Sequence, residues 1–356
     1  MLKINSVQSL TLDIIRIFAV QIVVVGHLLG AVEIGDKMPY IQNTGVVIFF
    51  VLSGLIISYT LFYKSQSKAY SFKIFFIDRF SRIYMGLLPS LLVILIIDSC
   101  ILYLNPEYYT FQDAFNLKTF FGNLFMLQDY NEIGYYLNQY IPLSYKITSF
   151  GSGRPLWTLS IEWWLYLFFG LVYFFYRKRF FWKYFPLLVL FSIVPIWHFI
   201  YGNILTVYWF LGVLITLLVF KNKQNFSSFF LLSLSSMFFF AAIINLFILE
   251  HTAYSPKYVI YLAGSLFFLL LYQQHSKIDM NEKIMHIIKY IASYSFTLYL
   301  IHYSIIVFIL SFNLSYDKFS LFIFIFLISN IIALLVASIG EMQYRKVSEK
   351  IKKYWK

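Results

Sequence analysis

The sequence predicts an all-α protein, a polytopic membrane helix bundle of about ten transmembrane helices with both termini inside the cell. Three observations carry this. Hydrophobic residues make up 60% of the 356 positions and charged residues only 12%, with a mean hydropathy of +0.74; a soluble domain carries about 25% charged residues. Apolar runs recur along the whole chain and leave no room for a large soluble domain. Basic residues gather in alternate connections between those runs.

Taken in order, the runs place spans near 10–30, 43–63, 84–104, 156–176, 183–200, 204–220, 228–249, 257–273, 291–311 and 319–340. Each approaches the roughly 20 residues that cross a hydrocarbon core. Pro186, Pro195 and short connections blur the fifth to eighth. The first run contains Asp13 and Arg16 and ends without a small-residue cleavage site, so it reads as a retained helix and not a signal peptide. Residues 1–342 then form the membrane domain and 343–356 a short basic cytoplasmic tail.

Charge checks the count independently. With the N-terminus inside, the inner segments are 1–9, 64–83, 177–182, 221–227, 274–290 and 341–356. Counting Arg16 and Lys183 at helix ends, these hold 22 of the 28 basic residues, and only Lys37, Lys118, Lys146, Arg154, Lys257 and Lys318 fall in outer segments. The net charge of +12 is therefore explained by topology, and no nucleic-acid partner is expected. The single cysteine, Cys100, excludes an internal disulfide and gives no reason to expect a metal site. The one long outer segment, 105–155, is rich in Tyr and Asn ("NPEYYTF", "QDYNEIGYYLNQYIPLSY"). Such a loop either folds over the outer mouth of the bundle and binds something polar, or caps the lipid surface.

Ionisable residues at membrane depth are costly and face a cavity or a partner. In "LDIIRIFAVQIVVVGHLLG", Arg16 and His27 are 11 residues apart, close to three helical turns. They share a face, about 16 Å apart along the axis. Asp13 lies at i,i+3 from Arg16 and can pair with it. Taken alone, His27 reads as a histidine bonded to a backbone carbonyl. It is not alone, because "RPLWTLSIEWWLYLFFG" puts Glu162 at a similar depth in the fourth span. A carboxylate that orients an imidazole makes a general base, able to deprotonate a sugar hydroxyl for attack on an acyl carbonyl. A purely structural Glu–His bond needs the same geometry. His302, in "SYSFTLYLIHYS", is a third polar group at depth and a candidate for the same cavity. On the inner side "FFIDRFSRIYMGLLP" sets Arg79 and Arg82 at i,i+3, a spacing suited to phosphate and expected in any case at a cytoplasmic helix end. No Walker loop, dinucleotide turn, zinc motif or nucleophile elbow is present.

Five elements in order resemble the integral-membrane acyltransferase-3 family, which includes O-acetyltransferases of bacterial surface polysaccharides and nodulation factors. "LDIIRIFAVQIVVVGH" is similar to its Leu-Asp-x-x-Arg…His signature, and "VVIFFVLSGLIIS" to its Phe-Phe-Val-x-Ser-Gly element containing Ser53. "DRFSRIYMGLLP" carries the Arg-x-x-Arg pair. "LWTLSIEWWLY" resembles the Trp-Ser-Leu-x-x-Glu element from Trp157 to Glu162, with Thr158 at the usual Ser. "SYSFTLYLIH" resembles a late Tyr-Ser-x-Tyr-Leu-x-His element.

The resemblance implies ten helices in a bacterial inner membrane, with no permanently bound cofactor. It implies acyl-CoA, by default acetyl-CoA, as cytoplasmic co-substrate, and a hydroxyl of a glycan or lipid-linked sugar as acceptor. It makes His27 catalytic and puts Arg79, Arg82 and Arg16 on the donor side. Ser53 serves either helix packing or the site. Some relatives carry a further C-terminal hydrolase-like domain, for which the basic tail is too short, so acceptor chemistry is expected in the membrane domain. A transporter or flippase of lipid-linked oligosaccharide would also explain many spans with buried charges. Against it, no internal repeat is visible and the polar residues concentrate in spans one, four and nine.

Overall fold

The computed structural model describes residues 3–34, 41–129, 147–178, 185–200, 203–221, 227–250, 252–274 and 281–355. Lys37, Lys146, most of the Tyr/Asn-rich stretch after Asp129, and the connections 179–184, 222–226 and 275–280 lie outside them. Every regular element among the described residues is helical. In chain order these are α1 (Ser6–Ala31), α2 (Ile41–Lys64), α3 (Phe72–Leu104), α4 (Leu117–Leu124), α5 (Leu156–Lys178), α6 (Phe185–Ile200) and α7 (Ile204–Lys221). There follow α8 (Ser228–Ile244, extended by a π turn, Asn245–Leu249), α9 (Pro256–Gln274), α10 (Glu282–Ala292), α11 (Ser295–Leu310), α12 (Lys318–Ile339) and α13 (Tyr344–Tyr354).

The all-helical expectation holds, and each of the ten expected spans falls on a helix. By length and apolarity, however, 6 described helices are able to cross a membrane, or 7 if α10 and α11, bent by 45°, form one broken span. The 16 residues of α6 reach about 24 Å, short of a hydrocarbon core of about 30 Å. In contrast, α3 runs for 33 residues, about 50 Å. It begins a dozen residues earlier than its apolar run, so Arg79 and Arg82 are part of a spanning helix and not of its approach.

The chain divides into two compact units. The first comprises residues 1–26, 35–75 and 168–292. Small residues hold it together. A Cβ on Gly54 would stand 1.9 Å from the Trp209 carbonyl oxygen, and one on Gly212 would stand 2.1 Å from that of Val51. The backbones of α2 and α7 therefore touch, as at the small-residue interfaces of membrane helices. Beside this contact the Ser58 hydroxyl donates to Thr216 Oγ1 at 2.9 Å, and Trp209 Nε1 donates to Ser53 Oγ at 3.1 Å. Elsewhere Gln8 and Asn5 of the N-terminal segment donate to the carbonyls of Leu270 and Gln273.

The second unit comprises residues 27–34, 76–167 and 293–356. Its centre is α11, of which the face from Leu298 through Ile305 is buried. The end of the segment 105–155 is fastened to α3 by Asp98. That buried carboxylate accepts from Ser152 N at 2.7 Å, Ser152 Oγ at 2.5 Å and Tyr109 OH at 2.8 Å. Gly151 takes a left-handed φ of 52°, and a Cβ there would meet Asp98 Oδ2. The basic end of the chain, expected as a tail, is a docked helix. In α13, Val347, Ser348 and Ile351 turn inward at helical spacing while Arg345, Lys346, Lys350 and Lys353 face outward. Asp78 of α3 anchors it, accepting from Ser348 Oγ at 2.8 Å and pairing with Lys352.

Candidate active site

The second unit brings two of the predicted site residues together. His27, near the end of α1, lies against His302 of α11, with ring centroids 5.1 Å apart and planes 22° from parallel. His27 Nδ1 and His302 Nε2 are 2.8 Å apart. His302 is fully buried, and its Nδ1 lies 2.9 Å from the Tyr299 carbonyl oxygen and 3.1 Å from that of Leu298.

These partners fix the tautomers. Carbonyl oxygens only accept, so His302 Nδ1 carries a hydrogen and, in the neutral ring, Nε2 holds a lone pair. That lone pair accepts from His27 Nδ1–H, which leaves the lone pair of neutral His27 on Nε2. A half-buried imidazole whose second nitrogen is held by a buried donor–acceptor chain is an oriented base. The surroundings support it. Thr158, at the position where the resemblance leads one to expect Ser, keeps the hydroxyl and bonds Tyr299 OH at 2.7 Å, one turn before His302. Tyr303 meets His27 edge to face at 5.3 Å.

Glu162 was expected to orient His27, but the bond that does so runs to His302. The Glu162 carboxylate accepts instead from Tyr166 OH, one turn along α5. Tyr166 in turn lies within electrostatic range of Arg82. Trp157, at the start of α5, is half-buried.

Arg82 is also partly committed. Its Nη1 pairs at 2.8 Å with Oε1 of Glu341, a fully buried carboxylate whose Oε2 accepts from Thr297 N at 2.8 Å and Thr297 Oγ1 at 2.9 Å. The guanidinium lies over the rings of Tyr344 and Phe296, at 5.0 and 5.6 Å. Arg79 acts electrostatically on the same Tyr344. The pair thus shares an internal ring of groups, with a quarter of the Arg82 side chain still exposed. In the first unit Arg16 and Asp13 form the expected i,i+3 pair at 3.1 Å. Ser53 is the acceptor for Trp209 in that unit's close helix contact.

Sequence reasoning missed Asp98, Ser152, Tyr303 and Glu341. Asp98 carried the right signal, an ionisable residue inside an apolar run, and Glu341 sits at the end of the last one. Ser152 and Tyr303 carried none. Among the described residues no group of three or more His, Cys, Asp or Glu is placed to hold a metal ion.

No curated protein and no solved structure matches the chain. The family model described as an acyltransferase domain, that of acyltransferase-3, matches residues 10–339 and so takes in both units. With the helices and the histidine pair in place, this match establishes the chain as a member of the acyltransferase-3 family, a multi-pass membrane acyltransferase.

Proposed function

We propose that the protein transfers an acyl group, by default acetyl, from acyl-CoA at the cytoplasmic face to a hydroxyl of a glycan or lipid-linked sugar at the outer side of the bacterial inner membrane. The observation that carries this reading is the hydrogen-bond chain from two backbone carbonyls through His302 to His27, which presents His27 Nε2 as an acceptor. His27 Nε2 takes the acceptor's hydroxyl proton while the oxygen attacks the thioester carbonyl carbon. The carbon–sulfur bond then breaks, and the proton passes from the imidazolium to the departing thiolate, giving the ester and free CoA. His302 keeps the His27 ring in register throughout, accepting from Nδ1–H in both protonation states.

On the donor side, Arg82, held by Glu341 and lying over Tyr344, together with Arg79, offers charge to the CoA phosphates. Glu162 acts on this half through Tyr166. In ten spans with both ends inside, Arg79 and Arg82 face the cytoplasm and His27 the outer leaflet.

The direct test incubates membranes carrying wild-type or His27→Ala protein with radiolabelled acetyl-CoA and glycan extract from the producing cell. Alkali-labile label on glycan is expected with wild type and at least about a hundredfold less with the variant. Equal labelling by both would remove His27 from the reaction.

A further inference from the structure

The outer side of an inner-membrane protein is poor in basic residues, so those it keeps call for a reason. Of the six assigned there, four lie among the described residues, of which Lys118 in α4 is engaged in an interaction of its own. Lys257 is neutralised by Glu250 at 2.9 Å and Lys318 by Glu33 at 3.3 Å. Arg154 has no acidic partner among the described residues. Its guanidinium donates to Tyr303 OH at 3.2 Å and lies over the same ring at 5.5 Å.

Arg154 is exposed, yet its backbone is firmly placed. Two residues earlier, Ser152 is bonded to the buried Asp98, and its Oγ, whose hydrogen goes to that carboxylate, accepts from Ser304 Oγ of α11 at 2.7 Å. Ser304, Tyr303 and His302 are consecutive on α11, so one buried carboxylate registers the Arg154 loop against the helix that carries His302. Tyr303 touches both ends of the arrangement, His27 at 5.3 Å and Arg154 at 5.5 Å. An exposed, unneutralised cation therefore stands one aromatic ring from the proposed base, on a loop fixed by a buried network.

We propose that Arg154 is an anion-binding residue at the outer mouth of the site, and that the acceptor carries a negative charge about one sugar ring from the hydroxyl that is acylated. The inference rests on the proposed acyl transfer for the meaning of "acceptor". Reacting atoms approach to about 3–3.5 Å, and the Arg154 guanidinium is hydrogen-bonded to the Tyr303 hydroxyl at 3.2 Å and not to His27. The distance suits a group elsewhere on the acceptor. Two sources supply such an oxyanion, a carboxylate on the sugar or the phosphate that joins a sugar to a lipid, and a guanidinium binds both in the same way.

The experiment measures binding to the full-length protein in nanodiscs of zwitterionic lipid. Probes are a labelled uronic-acid oligosaccharide, its neutral counterpart, and a polyprenyl-pyrophosphate-linked sugar, against wild type, Arg154→Gln and Arg154→Lys. Wild type is expected to favour at least one anionic probe by about ten- to hundredfold, with the preference shrinking as salt rises. Arg154→Gln should lose it without weakening the neutral probe, and Arg154→Lys should keep part of it. Preference for the uronic acid assigns the charge to the sugar, and preference for the pyrophosphate alone assigns it to the lipid linkage. Equal affinity for charged and neutral probes, or a preference untouched in Arg154→Gln, would overturn the proposal. An anion preference without acyl transfer from any donor would leave the anion site standing and remove the proposed function; transfer without the preference would do the reverse.

Discussion

The two units are held together by different means. In the first, helices α2 and α7 meet backbone to backbone across Gly54 and Gly212, with serine and threonine hydroxyls bonded beside them. In the second, Asp78, Asp98, His302 and Glu341 are all buried, and they are the buried carboxylate and imidazole groups of the described chain. A membrane interior offers no hydrophobic gain for helix association, so close packing suffices where only cohesion is needed. Buried ionisable groups are expensive there and mark the part of a protein that does chemistry. The expected behaviour follows this division: substitutions in the first unit should lower stability and spare turnover, and substitutions in the second should lower turnover.

The sharpest test after His27 itself is His302. His302→Ala removes the acceptor that fixes the His27 ring, and kcat should fall about a hundredfold with KM nearly unchanged. A change confined to thermal stability would make the pair structural and erase the distinction between the units. Glu341→Gln is expected to act on both properties. It strips a largely buried guanidinium of its counter-charge, costing about 2 kcal/mol or more of stability, and raises KM for acyl-CoA if Arg82 serves the donor. Unchanged KM in the folded fraction would restrict the Arg82–Glu341 pair to cohesion. Gly54→Ala presses a methyl group against the Trp209 carbonyl. It should cost about 1–3 kcal/mol, read as a lower melting temperature, with kcat of the surviving protein intact.

The smallest effect concerns the outer segment. Burial pushes the Asp129 carboxyl up to about 6, against the bond from Ser149 Oγ that favours its ionised form. A raised carboxyl stabilises the fold while protonated. That contribution is complete below about pH 4, declines as pH rises to about 6, and is gone above it; it amounts to about 3 kcal/mol. Asp129→Asn should flatten this part of the stability–pH curve. An unchanged curve would show that the ionised carboxylate is accommodated.

Much of this was legible in the residues. Hydropathy placed ten apolar segments on ten helices, because a bilayer demands long runs whose backbone bonds are satisfied within the segment. It overstated how many are long enough to span by themselves, since α6 and α7 are short and α10 bends into α11. The Asp13–Arg16 pair followed from i,i+3 spacing within one helix. The helix α13 was not legible: its residues read as a basic tail, because Asp78, which docks it, is distant in the chain.

The sequence alone thus determined an all-helical membrane protein, its family elements in order, and the candidacy of His27. Those properties depend on composition and on spacing within a helix. Only the tertiary structure decided which group orients His27. Glu162 and His302 were both at suitable depth, and the choice between them depends on how helices far apart in sequence are rotated against one another. Glu162 took its i,i+4 neighbour Tyr166 on the same helix, whereas packing around α11 brought His302 to His27.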